Sequence, residues 1–379
     1  MTYFDHNATH PLSSAARGAW IDAATRLAAN PSAPHRAGAR AAAAIDDARD
    51  RLAASLGCPA RSLVWTSGAT ESANAVLQHL AGASTAGLWL SAVEHPCFLA
   101  AAERWFPGRH RSFPVLPGLG TADLGWLADA LRRESPAAVV LMAANNETGV
   151  LQPWREARDL CRAHGVPFVC DAAQWTGKLA SHGLGECDYV VGCAHKFGGP
   201  AGVGWIRCPD GFSPSIVGGP QEEGRRAGTE NVAGIVASAA ALSERDAAIA
   251  ANGTAERLAW RDRFAARLLA ALPDAVVIGA DAPRLWNTVA VLMPATADCR
   301  RRWVVKLDRL GIAASTGSAC SSGREKPSHV LDAMRVGTGA SDRMLRFSAG
   351  WETTATDWDM LLAAVNTAAA ELGAARPNP

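Results

Sequence analysis

Short apolar runs alternate with longer helix-like stretches over much of the chain, and this alternation limits the fold more than any other feature. The run 138–142 is apolar at every position, as expected for a strand covered on both faces. The stretch 36–56 carries Ile45 and Leu52 on one helical face and is followed by Gly57, a typical helix stop. Strands separated by helices of this length predict βαβ units and a mainly parallel sheet.

The predicted elements fall into two groups. In the first group, strands are predicted near 63–66, 87–91, 110–115, 137–142, 166–170, 188–192 and 202–206. The helices between them are predicted near 36–56, 69–80, 97–105, 123–133 and 153–164. In the second group, helices are predicted near 253–272, 299–310 and 357–372, and strands near 275–278, 286–293, 312–315 and 344–348. The second group predicts a smaller α+β unit.

Composition and charge exclude several classes of protein. The 379 residues are 49% hydrophobic and 19% charged, which excludes a disordered chain. Basic residues number 37 and acidic residues 36, so the net charge of +1 is unlike that of a dedicated nucleic-acid-binding protein. The first residues lack the apolar stretch of a secretion signal, and the apolar runs are too short to span a membrane. We expect a cytoplasmic protein with no membrane partner and no direct nucleic-acid partner.

A turn of small residues, Thr66–Glu71, lies between a predicted strand and a predicted helix. The free N–H groups and the positive dipole end of a helix suit a phosphate group. A capped helix start without a ligand explains the same residues, and the segment by itself favours that interpretation.

An aspartate, Asp171, comes directly after the predicted strand at 166–170. In open α/β sheets, ligands bind beyond the carboxyl ends of the strands, so this carboxylate could pair with a protonated ring nitrogen or bind a metal. An aspartate that caps the next turn is an equally good interpretation.

A lysine, Lys196, follows His195 in a loop of small residues between two apolar strands. Tight, partly desolvated surroundings favour a Schiff-base nucleophile, and a surface lysine is the alternative. A phosphate-binding turn, an aspartate at a strand end and such a lysine are together what pyridoxal phosphate requires, because the aspartate keeps the ring nitrogen protonated.

The chain has nine cysteines, and no two of them are three positions apart, so no C-x-x-C redox or zinc motif is present. Cys320 lies among small and hydroxyl residues in a loop at about 315–326. We expect this loop to be mobile and accessible and Cys320 to be the reactive thiol. An incidental loop cysteine is the alternative.

An arginine, Arg346, lies on the predicted strand 344–348 and faces away from Leu345 and Phe347. An arginine with apolar neighbours on a strand can hold a carboxylate through two parallel hydrogen bonds. A structural ion pair is equally compatible with the sequence.

Short motifs in a fixed order along almost the whole chain resemble those of one enzyme family. They are D-H-N-A-T at Asp5–Thr9, N-P-S-x-x-H at Asn30–His35, T-S-G-A-T-E-S at Thr66–Ser72, E-H at Glu94–His95, N-N-E-T-G-V at Asn145–Val150, D-A-A-Q at Asp171–Gln174, H-K at His195–Lys196, R-x-G-T-E-N at Arg226–Asn231, S-A-C-S-S-G at Ser318–Gly323, P-S-H-V-L at Pro327–Leu331 and R-F-S-x-G at Arg346–Gly350. The chain thus resembles the cysteine desulfurases of the class V aminotransferase group, in the branch of the nitrogen-fixation and iron–sulfur-cluster enzymes.

This resemblance implies an α/β fold of the fold type I pyridoxal-phosphate transferases. It implies a large cofactor-binding α/β domain at 14–250 and a small α+β domain, made of 1–13 and 251–379, that carries the cysteine loop. It also implies a homodimer that takes L-cysteine and passes its sulfur to an acceptor protein, in iron–sulfur cluster assembly or in thiolation.

The resemblance further implies the residues that bind pyridoxal 5'-phosphate. They are Ala69, Thr70, His95, Asn146, Asp171, Gln174, Cys193, His195, Lys196 and, from the other subunit of a homodimer, Thr229. Lys196 would carry the cofactor covalently, Asp171 would pair with the ring nitrogen, and His95 would stack on the ring and take part in proton transfer.

The same resemblance implies how the substrate is held and cleaved. Arg346, assisted by Asn30, would bind the substrate carboxylate. Cys320 would accept the sulfur as a persulfide, with release of alanine.

Four positions depart from the family pattern, and two of them, Ala143 and Ala144, replace bulkier residues beside Asn146. Cys193 stands where a serine usually bonds the phosphate, and a thiol is a poorer donor, so phosphate affinity is expected to be lower. His10 stands where a threonine is common. The sequence does not indicate what His10 does.

Two other readings of the sequence stay open at this point. One is a different pyridoxal-phosphate reaction on the same fold, such as selenocysteine lyase or cysteine sulfinate desulfinase. The other is a non-catalytic assembly subunit. Retention of Lys196, His95, Asp171 and Cys320 argues against a subunit that is free of catalysis.

Overall fold

The structure is a computed structural model that describes residues 1–213, 215–296, 298–317, 327–337 and 339–373. Its strands are β1 (Thr2–Tyr3), β2 (Leu63–Thr66), β3 (Leu88–Ser91), β4 (His110–Phe113), β5 (Ala138–Met142), β6 (Phe168–Asp171), β7 (Tyr189–Cys193), β8 (Gly204–Arg207), β9 (Val276–Val277), β10 (Thr288–Leu292), β11 (Ile312–Ala313) and β12 (Met344–Ser348). Its α-helices are α1 (Ser14–Arg26), α2 (Arg36–Leu56), α3 (Ala69–Ala83), α4 (Pro96–Trp105), α5 (Leu124–Leu131), α6 (Trp154–Ala163), α7 (Val232–Ala250), α8 (Gly253–Ala271), α9 (Cys299–Arg309), α10 (His329–Ala333), α11 (Ala340–Arg343) and α12 (Ala355–Leu372).

A seven-stranded sheet in the order β2-β8-β7-β6-β5-β3-β4 forms the centre of the molecule. Strand β8 runs antiparallel to both of its neighbours, and the other neighbouring strands run parallel. The prediction of a mainly parallel sheet is therefore confirmed. Met142 pairs with Asp171 across β5 and β6, so the carboxyl ends of these strands lie level at one edge of the sheet.

Burial explains why the central strands are apolar. Every residue of β2, β3, β5, β6 and β7 is buried. Helices cover the sheet, and buried side chains pack in two clusters that contain Trp89 and Trp205 in one and Leu90 and Val140 in the other. Strands covered on both faces lose the alternation of apolar and polar residues.

A second, three-stranded antiparallel sheet in the order β12-β10-β9 belongs to the later part of the chain. Its cluster of buried side chains includes Trp303 and Phe347 and also Phe4. The Phe4 ring lies 4.8 Å from the ring of Trp358. The segment that begins the sequence therefore packs with residues near its other end, while the division of the chain into two domains stays a prediction.

Two long helices, α1 and α7, are absent from the sequence prediction, and they pack against each other. The buried residues of α1 are Ala16 and Ala23. The buried face of α7 is built mostly from alanine, glycine and serine. Small residues give little hydrophobic contrast between helix faces, so the periodicity that identified the other helices is weak here.

The search for membrane-spanning segments covers the described residues. Among them, no helix combines the length and the apolar character that crossing a bilayer requires.

Candidate active site

A cavity of about 1220 Å³ opens at the carboxyl ends of the central strands. Most of the residues predicted to bind cofactor or substrate line it. They are Ala69, Thr70, His95, Asn146, Asp171, Gln174, Cys193, His195, Lys196 and Arg346. Side chains from segments more than two hundred positions apart thus meet at the sheet edge that the strand pattern predicts.

Lys196 ends a short 3-10 turn, Ala194–Lys196, directly after β7. Its Nζ donates to the backbone oxygens of Asn7 and Ala8, at 2.8 Å each. The amine is therefore held at the cavity wall by the segment that carries the D-H-N-A-T motif. The sequence indicates no role for the D-H-N-A-T motif, whereas the structure places it against the candidate catalytic lysine.

Asp171 is the last residue of β6 and is 5% exposed. Its Oδ1 accepts a hydrogen bond from the Ala173 N–H at 2.9 Å. Burial raises the pKa of this carboxyl to about 6, against the opposing effects of the Ala173 N–H and the charge of Lys196. A cationic ring nitrogen beside Asp171 would favour the ionised carboxylate.

Two histidines at the cavity are neutral near pH 7. Burial, reinforced by the charge of Lys196, lowers the pKa of His95 and that of His195 to about 4. His95 precedes α4, and its Nδ1 accepts a hydrogen bond from the Cys97 N–H at 3.2 Å. The proton of neutral His95 therefore sits on Nε2, which is left as the nitrogen that can meet a ligand.

The N-terminus of α3 forms the phosphate-sized end of the cavity. Its N-cap is Gly68, which has no side chain to cap the helix, so amides of the first turn other than that of Ala69, which bonds to Cys193, remain available to an anion. A Cβ added at Gly204 would lie 2.5 Å from the Gly68 Cα, so the turn packs directly on β8. Glu71 in the first turn pairs with Arg226 at 2.9 Å. This ion pair ties the R-x-G-T-E-N segment to the start of α3.

Cys193, the predicted departure from serine, lies beneath this helix start. It is 2% exposed, and burial raises the pKa of its thiol to about 11. The Ala69 N–H bonds to its sulfur. Cys193 is therefore a neutral thiol at the base of the proposed phosphate site, which agrees with its weak donor character.

Arg346 is 1% exposed and lies between the two sheets. Its Nη1 donates to the backbone oxygens of Asn146 and Gly317 at 2.9 and 3.0 Å, and its Nη2 donates to Asp5 Oδ1 at 2.6 Å. Its buried Nε–H has no hydrogen-bond partner. The guanidinium thus reaches the cavity already fixed by Asp5. Leu345 and Phe347 pack in the buried cluster of the three-stranded sheet, so the prediction that they face away from Arg346 is confirmed.

Two predicted site residues, Asn30 and Thr229, do not line the cavity in the described structure. Both are exposed. Thr229 was assigned to the site of another subunit, and both assignments stay predictions. Cys320 and most of its loop lie outside the described residues.

Several residues that sequence reasoning missed are close to the site. Asn7 and His329 line the cavity, and Lys178 is buried behind Gln174. His329 Nε2 donates to the backbone oxygen of Glu94 at 2.9 Å, next to His95. Asn7 and His329 lie inside motifs that could have drawn attention to them, whereas Lys178 lies just beyond the D-A-A-Q motif.

The structure also explains His10, another departure from the family pattern. His10 Nε2 lies 3.2 Å from Glu352 Oε2, and Arg245 Nη2 lies 2.7 Å from Oε1 of the same carboxylate. Burial acts to raise the pKa of Glu352, but the hydrogen bond to His10 and the charge of Arg245 hold it well below its ordinary value. With His6, these groups could hold a metal ion, yet Arg245 already occupies one carboxylate oxygen and its charge disfavours a second cation. We interpret the cluster as an ion pair.

Comparison with known proteins shows the family of the chain. The class V aminotransferase family model matches residues 2–361. The chain belongs to the class V aminotransferase family.

A cysteine desulfurase of Cereibacter sphaeroides is 37% identical over 370 residues, which cover 95% of this chain and 93% of the relative. Two solved structures agree in fold. A NifS-like protein superposes with a TM-score of 0.89 at 27% sequence identity, and the match covers 98% of this chain and 100% of the NifS-like chain. SspA in complex with cysteine has a TM-score of 0.78 at 25% identity, with coverage of 93% and 100%.

The family and the relatives named cysteine desulfurase together support an enzyme with cysteine desulfurase activity. The family is in general dependent on pyridoxal phosphate. The residues of the cavity fit that cofactor, because they supply an amine at Lys196, a buried carboxylate at Asp171 and an uncapped helix N-terminus at α3.

Proposed function

We propose that this cavity binds pyridoxal 5'-phosphate and L-cysteine and that the enzyme passes the cysteine sulfur through Cys320 to an acceptor protein. The observation that carries the proposal is the meeting of Lys196, Asp171 and the uncapped N-terminus of α3 around one cavity. A structural relative solved with cysteine supports the choice of amino acid.

The cofactor would be held at both ends by this chain. Lys196 supplies the amine for covalent attachment, and Asp171 pairs with the ring nitrogen. The first turn of α3, with Thr70 and His195, binds the phosphate. When bound in this way, the cofactor supplies an electron sink for the bonds at the substrate Cα.

The substrate carboxylate would be bound by Arg346. The buried Nε–H of Arg346 has no partner, and a carboxylate that accepts from it satisfies that donor. The bond between Arg346 and Asp5 holds the guanidinium in place before the substrate arrives. Asn30 would assist, as the family resemblance implies.

Proton transfer would fall to His95 and Lys196. His95 is neutral near pH 7 and carries its proton on Nε2, so it can deliver that proton to a substrate atom and take one back. Lys196 Nζ would be the second proton carrier, and the Asn7 and Ala8 oxygens hold it at the cavity wall.

The sulfur itself would move to Cys320. The Cys320 thiolate attacks the substrate sulfur, a new S–S bond forms, and the C–S bond breaks. The carbon fragment keeps the electron pair of the broken bond and takes up a proton, which gives alanine. The persulfide on Cys320 is then available to an acceptor protein.

A homodimer would complete the site. Thr229 is exposed in the single chain and lies three positions after Arg226, which is paired with Glu71 at the phosphate end. In a dimer, Thr229 would bind the phosphate in the partner subunit.

The test is release of alanine from L-cysteine, with a reductant present, by the wild type and by Cys320→Ser in parallel. We expect alanine release to fall at least about 1000-fold in Cys320→Ser, because the nucleophile that takes the sulfur is lost. Cys58→Ser is the matched control, since Cys58 is partly exposed and does not line the cavity.

Each outcome has a definite meaning. If both variants stay active, Cys320 is a bystander and a lyase reaction is favoured. If the wild type is inactive even with added cofactor, the proposed reaction is wrong for the isolated protein.

A further inference from the structure

One basic side chain next to the cavity is not explained by the reaction. Lys178 is 2% exposed, and its Nζ donates to Asn7 Oδ1 at 2.9 Å and to Gln174 Oε1. Lysine is almost never fully buried unless it is paired, and this amine donates to two neutral amide oxygens. The position of Lys178 therefore calls for a function.

The backbone around Lys178 is held from two sides. Trp286 Nε1 donates to the Lys178 carbonyl at 2.8 Å, and Trp351 Nε1 donates to the Gly177 carbonyl at 2.7 Å. Gly177 has φ of 72°, and a Cβ there would lie 2.5 Å from Phe197 Cβ. The backbone at Gly177 and Lys178 is therefore fixed, which limits the atoms that the Lys178 amine can reach.

The contact with Gln174 determines which end of that amide faces the cavity. Lys178 Nζ needs acceptors, so it takes the Oε1 end of the amide. Gln174 Nε2 donates one of its two hydrogens to the Asn7 carbonyl at 2.9 Å. The second Nε2 hydrogen is left for a ligand oxygen in the cavity, which Gln174 lines.

The contact between Lys178 and Asn7 also orients the Asn7 side chain, and Asn7 in turn contacts Asn146 and Lys196. Asn7 Oδ1 accepts from Lys178, so Asn7 Nδ2 is turned to Thr288 Oγ1 at 2.9 Å and to the Asn146 carbonyl at 3.3 Å. The Asn7 carbonyl is in turn the acceptor that Lys196 and Gln174 share. Asn287 Nδ2 also donates to Asn7 Oδ1, at 3.1 Å, so Lys178 and Asn287 together orient the side chain of the residue whose carbonyl meets Lys196.

From these contacts, the geometry points to Lys178 as a positioning residue that locks the Gln174 amide with its N–H toward the cofactor oxygen next to Lys196. This inference rests on the proposed function, because it assumes that pyridoxal phosphate occupies the cavity. Lys178 touches neither cofactor nor substrate and acts through Gln174 and Asn7.

The electrostatic setting is consistent with this role. Burial, together with the charges of Lys196 and Arg346, lowers the pKa of Lys178 well below its ordinary value. A neutral amine still has two N–H donors, which match the two acceptors Asn7 Oδ1 and Gln174 Oε1.

The first test compares the holoenzyme with Lys178→Met, in which the donors are lost and the volume is kept. Cofactor dissociation constants are measured by titrating cofactor-free protein with pyridoxal 5'-phosphate. The visible absorbance of the holoenzyme is titrated against pH. Lys306→Met, which removes a lysine of α9 that is paired with Glu371 of α12, is the matched control.

We expect Lys178→Met to raise the cofactor dissociation constant about tenfold or more. We also expect the pKa of the absorbance change at Lys196 to rise by about half a unit or more. The cofactor oxygen carries more negative charge once the linked nitrogen has lost its proton, so a donor at that oxygen stabilises the deprotonated form, and its loss raises the pKa. A purely structural role for Lys178 would change thermal stability without moving this pKa.

A double-mutant cycle of Lys178→Met with Gln174→Ala tests whether Lys178 acts through Gln174. If Lys178 acts through Gln174, the double variant shifts the pKa of the absorbance change little more than Gln174→Ala alone. Additive shifts would overturn the inference. If Lys178→Met does not fold, Lys178→Gln, which keeps an N–H donor at shorter reach, is the second variant, and an intermediate shift is expected.

The outcomes separate this inference from the proposed function. A wild type that binds no pyridoxal 5'-phosphate contradicts both. A wild type with normal absorbance and a Lys178→Met variant with unchanged affinity and unchanged absorbance pKa contradicts the role of Lys178 alone.

Discussion

At one end of the cavity, Asp171, Gln174 and Lys178 are at most 5% exposed, whereas at the other end Ser67 and Thr70 are exposed to solvent. We call the first set the floor and the segment Ser67–Glu71 the rim. The floor is built from side chains whose protonation and orientation are controlled by burial. The rim is built from backbone amides at a helix end. We expect the floor to affect both reactivity and retention of the cofactor, and the rim to affect retention alone.

The largest effect is expected at the floor, from Asp171→Asn. Loss of a buried charge-assisted hydrogen bond to the ring nitrogen should lower kcat/KM about 10- to 100-fold. Asp188→Asn is the matched control, because Asp188 Oδ2 accepts from the Phe168 N–H at the opposite end of β6. Steady-state alanine release checks both variants, and equal losses in the two would contradict the special role of the floor.

A smaller effect is expected at the rim, from Thr70→Ala. The cofactor dissociation constant should rise about five- to tenfold with little change in kcat at saturating cofactor, because one hydrogen bond to phosphate is lost. Equilibrium titration with pyridoxal 5'-phosphate measures it. Thr367→Ala on the exposed face of α12 is the control. A fall in kcat without a change in affinity would reverse the assignment of rim and floor.

A pH-dependent effect is expected beside the floor, at Glu94. Its Oε1 accepts from Ser91 Oγ and the Met142 N–H, its Oε2 has no partner, and burial raises the pKa of the carboxyl to about 8. An unfolded glutamate titrates near pH ~4.3, so between that pH and about 8 the folded protein binds more protons than the unfolded chain. Stability contributed by neutral Glu94 is therefore lost as the pH rises through this window.

Glu94→Gln should remove that loss, because the amide keeps the Oε1 acceptor and does not ionise. We expect the free energy of unfolding of the variant, relative to wild type, to increase by about 1 kcal/mol or more from about pH 5.5 to about pH 8. Urea unfolding at the two pH values measures it. A constant difference between the two proteins would show that Glu94 does not titrate in this range.

The smallest effect is expected for Cys193→Ser, at the base of the rim. A hydroxyl donates more strongly than the buried neutral thiol, so the cofactor should be held at least as tightly, by up to about threefold. The same titration with pyridoxal 5'-phosphate detects it. A clearly larger dissociation constant would mean that the cavity is fitted to sulfur at this position.

Much of the floor and the rim could be predicted from the sequence because the signals are local. Asp171 ends an apolar run, Lys196 follows one, and the turn at Thr66–Glu71 connects a strand to a helix. Each of these patterns is contained within a few residues. Together they placed the site at the carboxyl ends of the strands, as the structure has it.

The roles of Asn7 and Lys178 could not be predicted, because they depend on contacts between distant segments. Nothing near Asn7 in the sequence indicates that its carbonyl meets Lys196, 189 positions later. Helices α1 and α7 were missed for a related reason, since their packing surfaces are made of small residues that acquire meaning only when the two helices meet. His10 was noticed as unusual, but its partner Glu352 lies at the other end of the chain.

The joining of the two ends of the chain has a consequence for how the enzyme is made. Asn7 N–H donates to Ser348 Oγ, 341 positions later, and Arg346 Nη2 donates to Asp5. On the ribosome, the segment that holds Lys196 therefore finds these partners only after residue 348 has emerged. The strands of the central sheet all precede residue 208, so that sheet can form earlier, and a chain cut short before residue 346 carries the lysine without the contacts that position it.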